Sequence, residues 1–473
     1  MTSLAIAPPS TGAAPLPAGG PDPARFDWAE AWYPVAYLDD LATDQLTRFT
    51  LLDRGIVIWW SPNDQAWRVF EDKCPHRLAP LSEGRVNENG ELECPYHGWA
   101  FAGDGACTHI PQQPADHPIH QNPRACAQAL PTAIRQGLLF VYPGKADNAP
   151  QVEVPIVGPV DAEPDGWVVL NTFRDLPYDA LTLLENVLDV SHIPYTHHKT
   201  VGKRENAAPM VMEVLEAGKQ GFRGLWPEGP RKGKLGTQHT TFVAPALMYH
   251  DLTSKQFGRT LTVVYATPIS KGKCRLFARF PFKFSSKIPA TVIGLTPRWY
   301  SHIGNNGVLE DDQIFLHLQE RELEKASPTY AQACYLPTQA DRYVLAFRNW
   351  VSNFEADPFP GQSLGPALSQ AELLDRYQSH TQHCRSCSTA LRRIQTLRRG
   401  LLGVSAVGWS LVPVGLANGY VSGLAAVMLS VLPLGTAAAW AGLGRLEQRF
   451  YQGRAVPPRN LPEKPAKAKG YRP

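Results

Sequence analysis

Cys74-Pro-His76-Arg-Leu78 and Cys94-Pro-Tyr-His97-Gly98, with residues 77–93 between His76 and Cys94, are the stretches on which the reading of this chain turns. Each offers one thiolate and one imidazole from a short, proline-stiffened loop. Two thiolates can hold one iron of a [2Fe–2S] cluster while two imidazoles hold the other, and neutral imidazole in place of thiolate raises the reduction potential. A Cys2His2 zinc site is the competing reading. Zinc motifs usually pair Cys with Cys and His with His at spacings of two to five, whereas here each pair is mixed. The cluster reading is the better fit. Cys74, His76, Cys94 and His97 are its expected ligands, and His109, His117 and His120 lack the spacing to join them. Cys107 and Cys126 read as small hydrophobes.

Working outward, residues 49–73 alternate as strands do. The run Gly55 to Trp60, a turn at 61–65 and the run Ala66 to Phe70 predict a hairpin of a small β-domain. The β-pattern continues to Tyr142, and a Pro/Gly/Asp-rich stretch at 143–166 reads as a linker. Beyond it the chain predicts a helical segment over 179–193, mixed strands over 208–284 and an amphipathic helix over 308–325. No internal repeat is visible.

The predicted 179–193 helix carries a second constellation, Glu185-Asn186-Val-Leu-Asp189-Val-Ser-His192-Ile-Pro194-Tyr-Thr-His197-His198. Residues 185, 189 and 192 share a helical face. Pro194 should stop the helix at Ile193, letting His197 return from the next turn to meet His192. Two imidazoles with one carboxylate form the facial triad of non-heme Fe(II) oxygenases. The carboxylate has to come from elsewhere, and Glu310-Asp311-Asp312 is the candidate run. Asp311 shares a face with Val308, Phe315 and Leu318, while Asp312 sits near Leu309 and Leu316, so periodicity does not choose between them. Acidic residues early in a helix also suit its dipole without any metal.

Together these motifs resemble Rieske oxygenase α-subunits. More narrowly, Leu183 to His198, Gln339 to Trp350 and Leu373 to Cys387 resemble the pheophorbide a oxygenase family, which includes the protochlorophyllide-dependent and inner-envelope translocon oxygenases. The resemblance covers roughly residues 28–445. It implies an α+β fold in which an N-terminal Rieske β-domain precedes a helix-grip catalytic domain, an antiparallel sheet with helices. It implies a mononuclear iron held by His192, His197 and Asp311, with Asn186 and Asp189 as catalytic residues. Asp189 would bridge a cluster histidine of one subunit to the iron histidine of the next in a head-to-tail homotrimer. It also implies reduced ferredoxin as electron donor, a tetrapyrrole substrate, and a redox-active pair Cys384 and Cys387 open to thioredoxin. The residues themselves leave that pair three readings: a reversible disulfide, a zinc site completed by His380 and His383, or an inert structural pair.

Leu401 to Gly444 contains no charged residue. A membrane-crossing helix needs about 20 apolar residues, so the run fits two spans split at Asn418-Gly419. Arg392, Arg393, Arg398 and Arg399 precede it, and the tail from Arg445 carries eight basic and two acidic residues. Both flanks are positive, which places both on the cytoplasmic-type side and requires an even number of spans; the resemblance implies a photosynthetic, plasma or chloroplast membrane with the catalytic domain on its cytoplasmic or stromal side. A buried soluble hairpin is the alternative. The expected organisation is an Ala/Pro-rich arm (1–25), a Rieske domain (26–150), a catalytic domain (165–380), a CxxC segment (381–400), a transmembrane hairpin (401–444) and a basic tail (445–473).

With 473 residues the chain needs more than one core. A formal net charge of +3 gives no sign of nucleic-acid binding, and eight cysteines in so long a chain suit metal ligands and reduced thiols. Two rival functions remain. One is a Rieske monooxygenase for one-ring aromatics. The other is a membrane electron-transfer or redox-sensing protein using the cluster alone. A macrocycle-sized cavity is expected, and aromatics such as Phe222, Phe242, Tyr265 and Phe277 are suitable wall material, although some of them must be core and an arbitrary one is more often packing than pocket.

Overall fold

A computed structural model describes residues 25–463, except 115, 255–257 and 327–328. The expected arm up to residue 24 and the last ten residues of the expected tail lie outside the described residues. The chain divides into two compact units. The first comprises the chain through Ser191, Asn206–Leu295 and Gln319–Pro366. The second comprises His192–Glu205, Thr296–Leu318 and Ala367 onward. This partition cuts across the boundaries expected near 150 and 380.

The first unit begins with the β-domain. Strands Arg54–Ser61 and Ala66–Glu71 form the expected hairpin, with Trp60 opposite Trp67 and Ser61 opposite Ala66. Strand periodicity sends Val57, Trp59 and Phe70 inward, where they join Leu81, Leu92 and Phe101 in a core that also receives Cys74 and Cys94. A separate four-stranded sheet, running in order through Arg85–Val86, Leu92–Glu93, Ala100–Phe101 and Cys107–His109, spaces the two cysteine loops. Cys107 is buried in this core as expected of a small hydrophobe, but Cys126 is exposed.

The same unit contains a seven-stranded antiparallel sheet built from β1 (Val168–Leu176), β2 (Glu213–Gly218), β3 (Gly221–Trp226), β4 (Gln238–Val243), β5 (Leu247–Ser254), β6 (Gly258–Ser270) and β7 (Lys273–Lys283), in the order β1-β7-β6-β5-β4-β3-β2. The chain runs β2 to β7 as a meander, and β1 closes the far edge against β7. Helix α1 (Ala180–Leu188) follows β1. Of the aromatics named as suitable wall material, Phe222, Phe242, Tyr265 and Phe277 are buried in the core. Phe222 and Phe242 pack on Tyr343, Phe347 and Trp350 of helix α3 (Arg342–Asn353). Tyr265 meets Phe140, and Phe277 meets Tyr37, both from the β-domain. Burial of these rings joins β-domain, sheet and helix into one unit, and each ring buries about 150–250 Å².

The helix expected over 308–325 is longer, α2 (Arg298–Lys325). The second unit takes its residues through Leu318, and the first takes the remaining turns. The second unit also contains α4 (Arg385–Ala417) and α5 (Gly423–Gln448). Both are long and apolar enough to cross a membrane, and each apolar stretch is only 11% buried. They form a close pair. A Cβ at Gly408 would meet Pro433 at 3.0 Å, and the Ser405 hydroxyl donates to the Pro433 carbonyl at 3.0 Å. Small residues allow this approach, and the serine satisfies a backbone group beside a helix-interior proline.

Candidate metal centres

The two cysteine loops have the same backbone frame. Cys74 N–H donates to Ala79 O and Leu78 N–H to Cys74 O. In the second loop Cys94 N–H donates to Trp99 O and Gly98 N–H to Cys94 O. Leu78 and Gly98 occupy equivalent places, with φ of 60° and 72°. That left-handed turn is easy for glycine and costly for leucine. The loops bring both thiols inside, 1% and 2% exposed, and set the His76 and His97 rings 4.6 Å apart. Trp99 stacks on His76 at 4.7 Å. Burial, opposed by hydrogen bonds from loop amides and reinforced by adjacent Cys94, pushes the Cys74 thiol up to about 12. His76 Nδ1 is buried without a hydrogen-bond partner. Two adjacent buried sulfurs and an orphaned imidazole nitrogen are costly in an apolar core unless a cation takes them. These donors fit a Rieske cluster.

The second centre lies in the second unit. Pro194 does not end a helix here. α1 stops at Asp189, whose ψ of 90° leaves the helical region, and Pro194 opens a new single turn, Ile193–Thr196. Proline suits a first turn, where its missing N–H would have no partner. His197 caps that turn, its N–H donating to Ile193 O. The break turns His192 and His197 toward each other, Nε2 to Nε2 at 3.2 Å. Asp312 completes the group, with Oδ2 3.2 Å from His197 Nε2 and Oδ1 3.8 Å from His192 Nε2. Asp311, the acid implied as ligand by resemblance, lies elsewhere. Its Oδ2 is 3.3 Å from the opposite nitrogen of His197, Nδ1, and accepts from Thr200 Oγ1 at 2.8 Å. Both acids are buried, but successive helix residues point about 100° apart, so only Asp312 reaches the shared centre. A two-histidine, one-carboxylate set fits iron and leaves coordination positions open.

A family model for the Rieske [2Fe-2S] domain matches residues 31–132, and one for pheophorbide a oxygenase matches residues 242–329. Pheophorbide a oxygenase of Arabidopsis thaliana is 39% identical over 422 residues, 82% of this chain and 76% of the relative. The chain belongs to the pheophorbide a oxygenase family. A flavonoid 8-hydroxylase of Ocimum basilicum is 33% identical over 81% of this chain and 77% of its own length. Among solved structures, dicamba monooxygenase with bound dicamba superimposes with a TM-score of 0.55 at 22% identity, covering 69% of this chain and 97% of that one. That match carries the fold of a Rieske oxygenase.

Further side-chain contacts occur within each unit. In the first unit, Glu185 on α1 pairs with Arg348 on α3 and accepts from Tyr330 at 2.8 Å. The buried His250 ring lies 3.0 Å from Val187 O, with Thr240 Oγ1 2.9 Å from its other nitrogen. Both contacts hold the helix that ends in Asp189. Asn186 and Asp189 are half-buried near that end, and Asp189 Oδ1 accepts from Ser191 N–H at 2.8 Å and its hydroxyl at 2.5 Å. In the second unit, the chain beyond the apolar hairpin returns to the segment His192–Glu205 and to Asp311. Arg459 donates to Thr196 O and to Asp311 O, and lies over the Phe315 ring. Lys199 donates to Leu461 O, and Arg204 to Arg459 O, each at 2.8 Å. Within the stretch expected to be a basic tail, Arg459 and Leu461 are thus hydrogen-bonded to the segment His192–Glu205, although most of residues 454–463 are exposed. Cys384 and Cys387 are buried and are not joined in a disulfide. His380 lies beside them, whereas His383 Nε2 is 3.1 Å from Gln382 Nε2.

Proposed function

We propose that this chain oxygenates a tetrapyrrole of the pheophorbide type. The observation that carries this reading is the presence of both donor sets, Rieske and two-histidine-one-carboxylate, in a chain 39% identical to a pheophorbide a oxygenase over most of its length. A carrier using the cluster alone would need no second set. Cys74, His76, Cys94 and His97 would hold the cluster, and His192, His197 and Asp312 the mononuclear iron, whose chemistry when bound is oxygen activation. Asp311 and Thr200 orient His197 from behind. Asp189, with Asn186 beside it, would carry electrons between subunits of a homotrimer, and a ferredoxin would supply them. The apolar pair α4–α5 would anchor the enzyme in a photosynthetic or chloroplast membrane, next to a pool of poorly water-soluble substrate, with the catalytic unit on the cytoplasmic or stromal side.

The test is an anaerobic titration of the full chain with pheophorbide a, protochlorophyllide a and chlorophyllide a, then ¹⁸O₂ with ferredoxin and its reductase. Binding of one of the three and gain of ¹⁸O in the product is the expected result. The 33% identical flavonoid 8-hydroxylase supports a second reading, a smaller planar aromatic substrate. Turnover of a flavonoid with no tetrapyrrole bound would establish it.

A further inference from the structure

We infer that the second unit holds a structural zinc ion at the root of the apolar hairpin, bound by His302, His380, Cys384 and Cys387. This site is separate from both iron centres. His302 stands in the second turn of α2, His380 in a single π-type turn (Tyr377–Thr381), Cys384 at the N-cap of α4 and Cys387 in its first turn. All four side chains are buried, none more than 1% exposed, and their donor atoms all lie within 4.8 Å of one another. His302 Nδ1 is 3.1 Å from His380 Nε2 and 3.5 Å from each sulfur. His380 Nε2 is 3.3 Å from Cys387 Sγ.

Zinc binds nitrogen at about 2.0–2.1 Å and sulfur at about 2.3 Å, tetrahedrally, so neighbouring donors should sit about 3.3 Å apart for N–N and about 3.5 Å for N–S. The observed spacings match that shape. Hydrogen bonding does not account for them. His302 Nδ1 has either one proton or one lone pair, yet three donor atoms converge on it within 3.5 Å. A cation among the four satisfies all the contacts at once. Binding converts two thiols to thiolates with release of two protons, and Zn²⁺ with two thiolates and two neutral imidazoles is a neutral unit suited to burial.

The fourth ligand is therefore His302, eighty-two residues before Cys384, and not His383. Its place gives the ion a task. α2 also carries Asp312, ten residues and about 15 Å further along the helix axis. The zinc would tie the helix bearing an iron donor to the first turn of the membrane hairpin, and thiolates held in this way are not a resting disulfide.

The experiment uses the full chain in detergent, purified without chelator or added metal. Elemental analysis should find about one zinc per chain, and absorption at the zinc edge should show two sulfur and two nitrogen neighbours. That edge is element-specific, so the irons do not interfere. His302→Ala and Cys387→Ser should each lose at least 80% of the zinc and keep the visible spectrum of the [2Fe–2S] cluster. His302→Cys should restore zinc with three sulfurs. Wild-type protein without zinc, zinc without sulfur neighbours, or a Cys384–Cys387 disulfide in peptide mass spectra would each overturn the assignment. Should the variants not fold, the zinc edge of the wild-type chain decides it alone.

Discussion

Asp311 stands behind His197, its Oδ2 3.3 Å from Nδ1, while Asp312 faces the opposite nitrogen of the same ring, Nε2, at 3.2 Å. Neighbouring acids thus face different nitrogens of one imidazole. A carboxylate on the far nitrogen fixes tautomer and ring orientation and raises ligand basicity. Asp312→Asn should abolish mononuclear iron binding and turnover while the Rieske spectrum persists. Asp311→Asn should weaken iron affinity by roughly 10–100-fold, the usual size of an outer-partner effect. Equilibrium iron titrations of the two variants check this, and the reverse order of severity would return the ligand role to Asp311.

Asp189→Asn should retain both metal centres and the fold, because neither Ser191 contact requires a charged acceptor. The loss should appear in electron delivery. In single-turnover experiments, cluster reoxidation on mixing with substrate and oxygen should slow at least tenfold. Loss of iron from this variant would mark Asp189 as a ligand instead.

A chain cut after Arg399 would be freed of the apolar hairpin but would also lose Arg459 and the other contacts of 454–463 with the His192–Glu205 segment. The cluster should survive, since its loops and core lie wholly in the first unit. Mononuclear iron should be lost or weakly held. Arg459→Ala in the full chain isolates the cause. Its iron should dissociate several-fold faster than that of wild type, with an unchanged Rieske spectrum.

Glu320 supplies a pH dependence. It is buried beside Asp179, whose N–H donates to Glu320 Oε2 at 3.0 Å. Lys271 pairs with Asp179 at 2.9 Å. Burial, then the adjacent Asp179 charge, pushes the Glu320 carboxyl up to about 8. The folded chain therefore binds a proton that the unfolded chain has released between the ordinary value of 4.5 and about 8. Stability from this group is present in full below about 4.5 and is lost as pH rises through about 8. Glu320→Gln mimics the protonated form. The difference in thermal midpoint between variant and wild type should move in the variant's favour between pH 6 and pH 9, and a pH-independent difference would show that Glu320 is charged throughout.

Much of this protein is local in sequence. Cys74 with His76, Cys94 with His97, and His192 with His197 are each separated by five residues or fewer. Loop and turn geometry alone could therefore join them, and their spacing announced them. The 44-residue uncharged run likewise declared two apolar helices, because length and composition suffice for that. Three decisions lay beyond local pattern. The choice of Asp312 over Asp311 is a rotation of α2 by one residue, and packing sets it. Pro194 could end one helix or begin another, and the break at Asp189 made it a beginning. Glu185 with Arg348, His302 with Cys384 and Cys387, and Arg459 with the iron loop are pairings across 82 residues or more. No periodicity encodes such partners. They meet because burial of apolar faces brings their helices together, and a charged or metal-binding group left inside must find whatever partner the packing supplies.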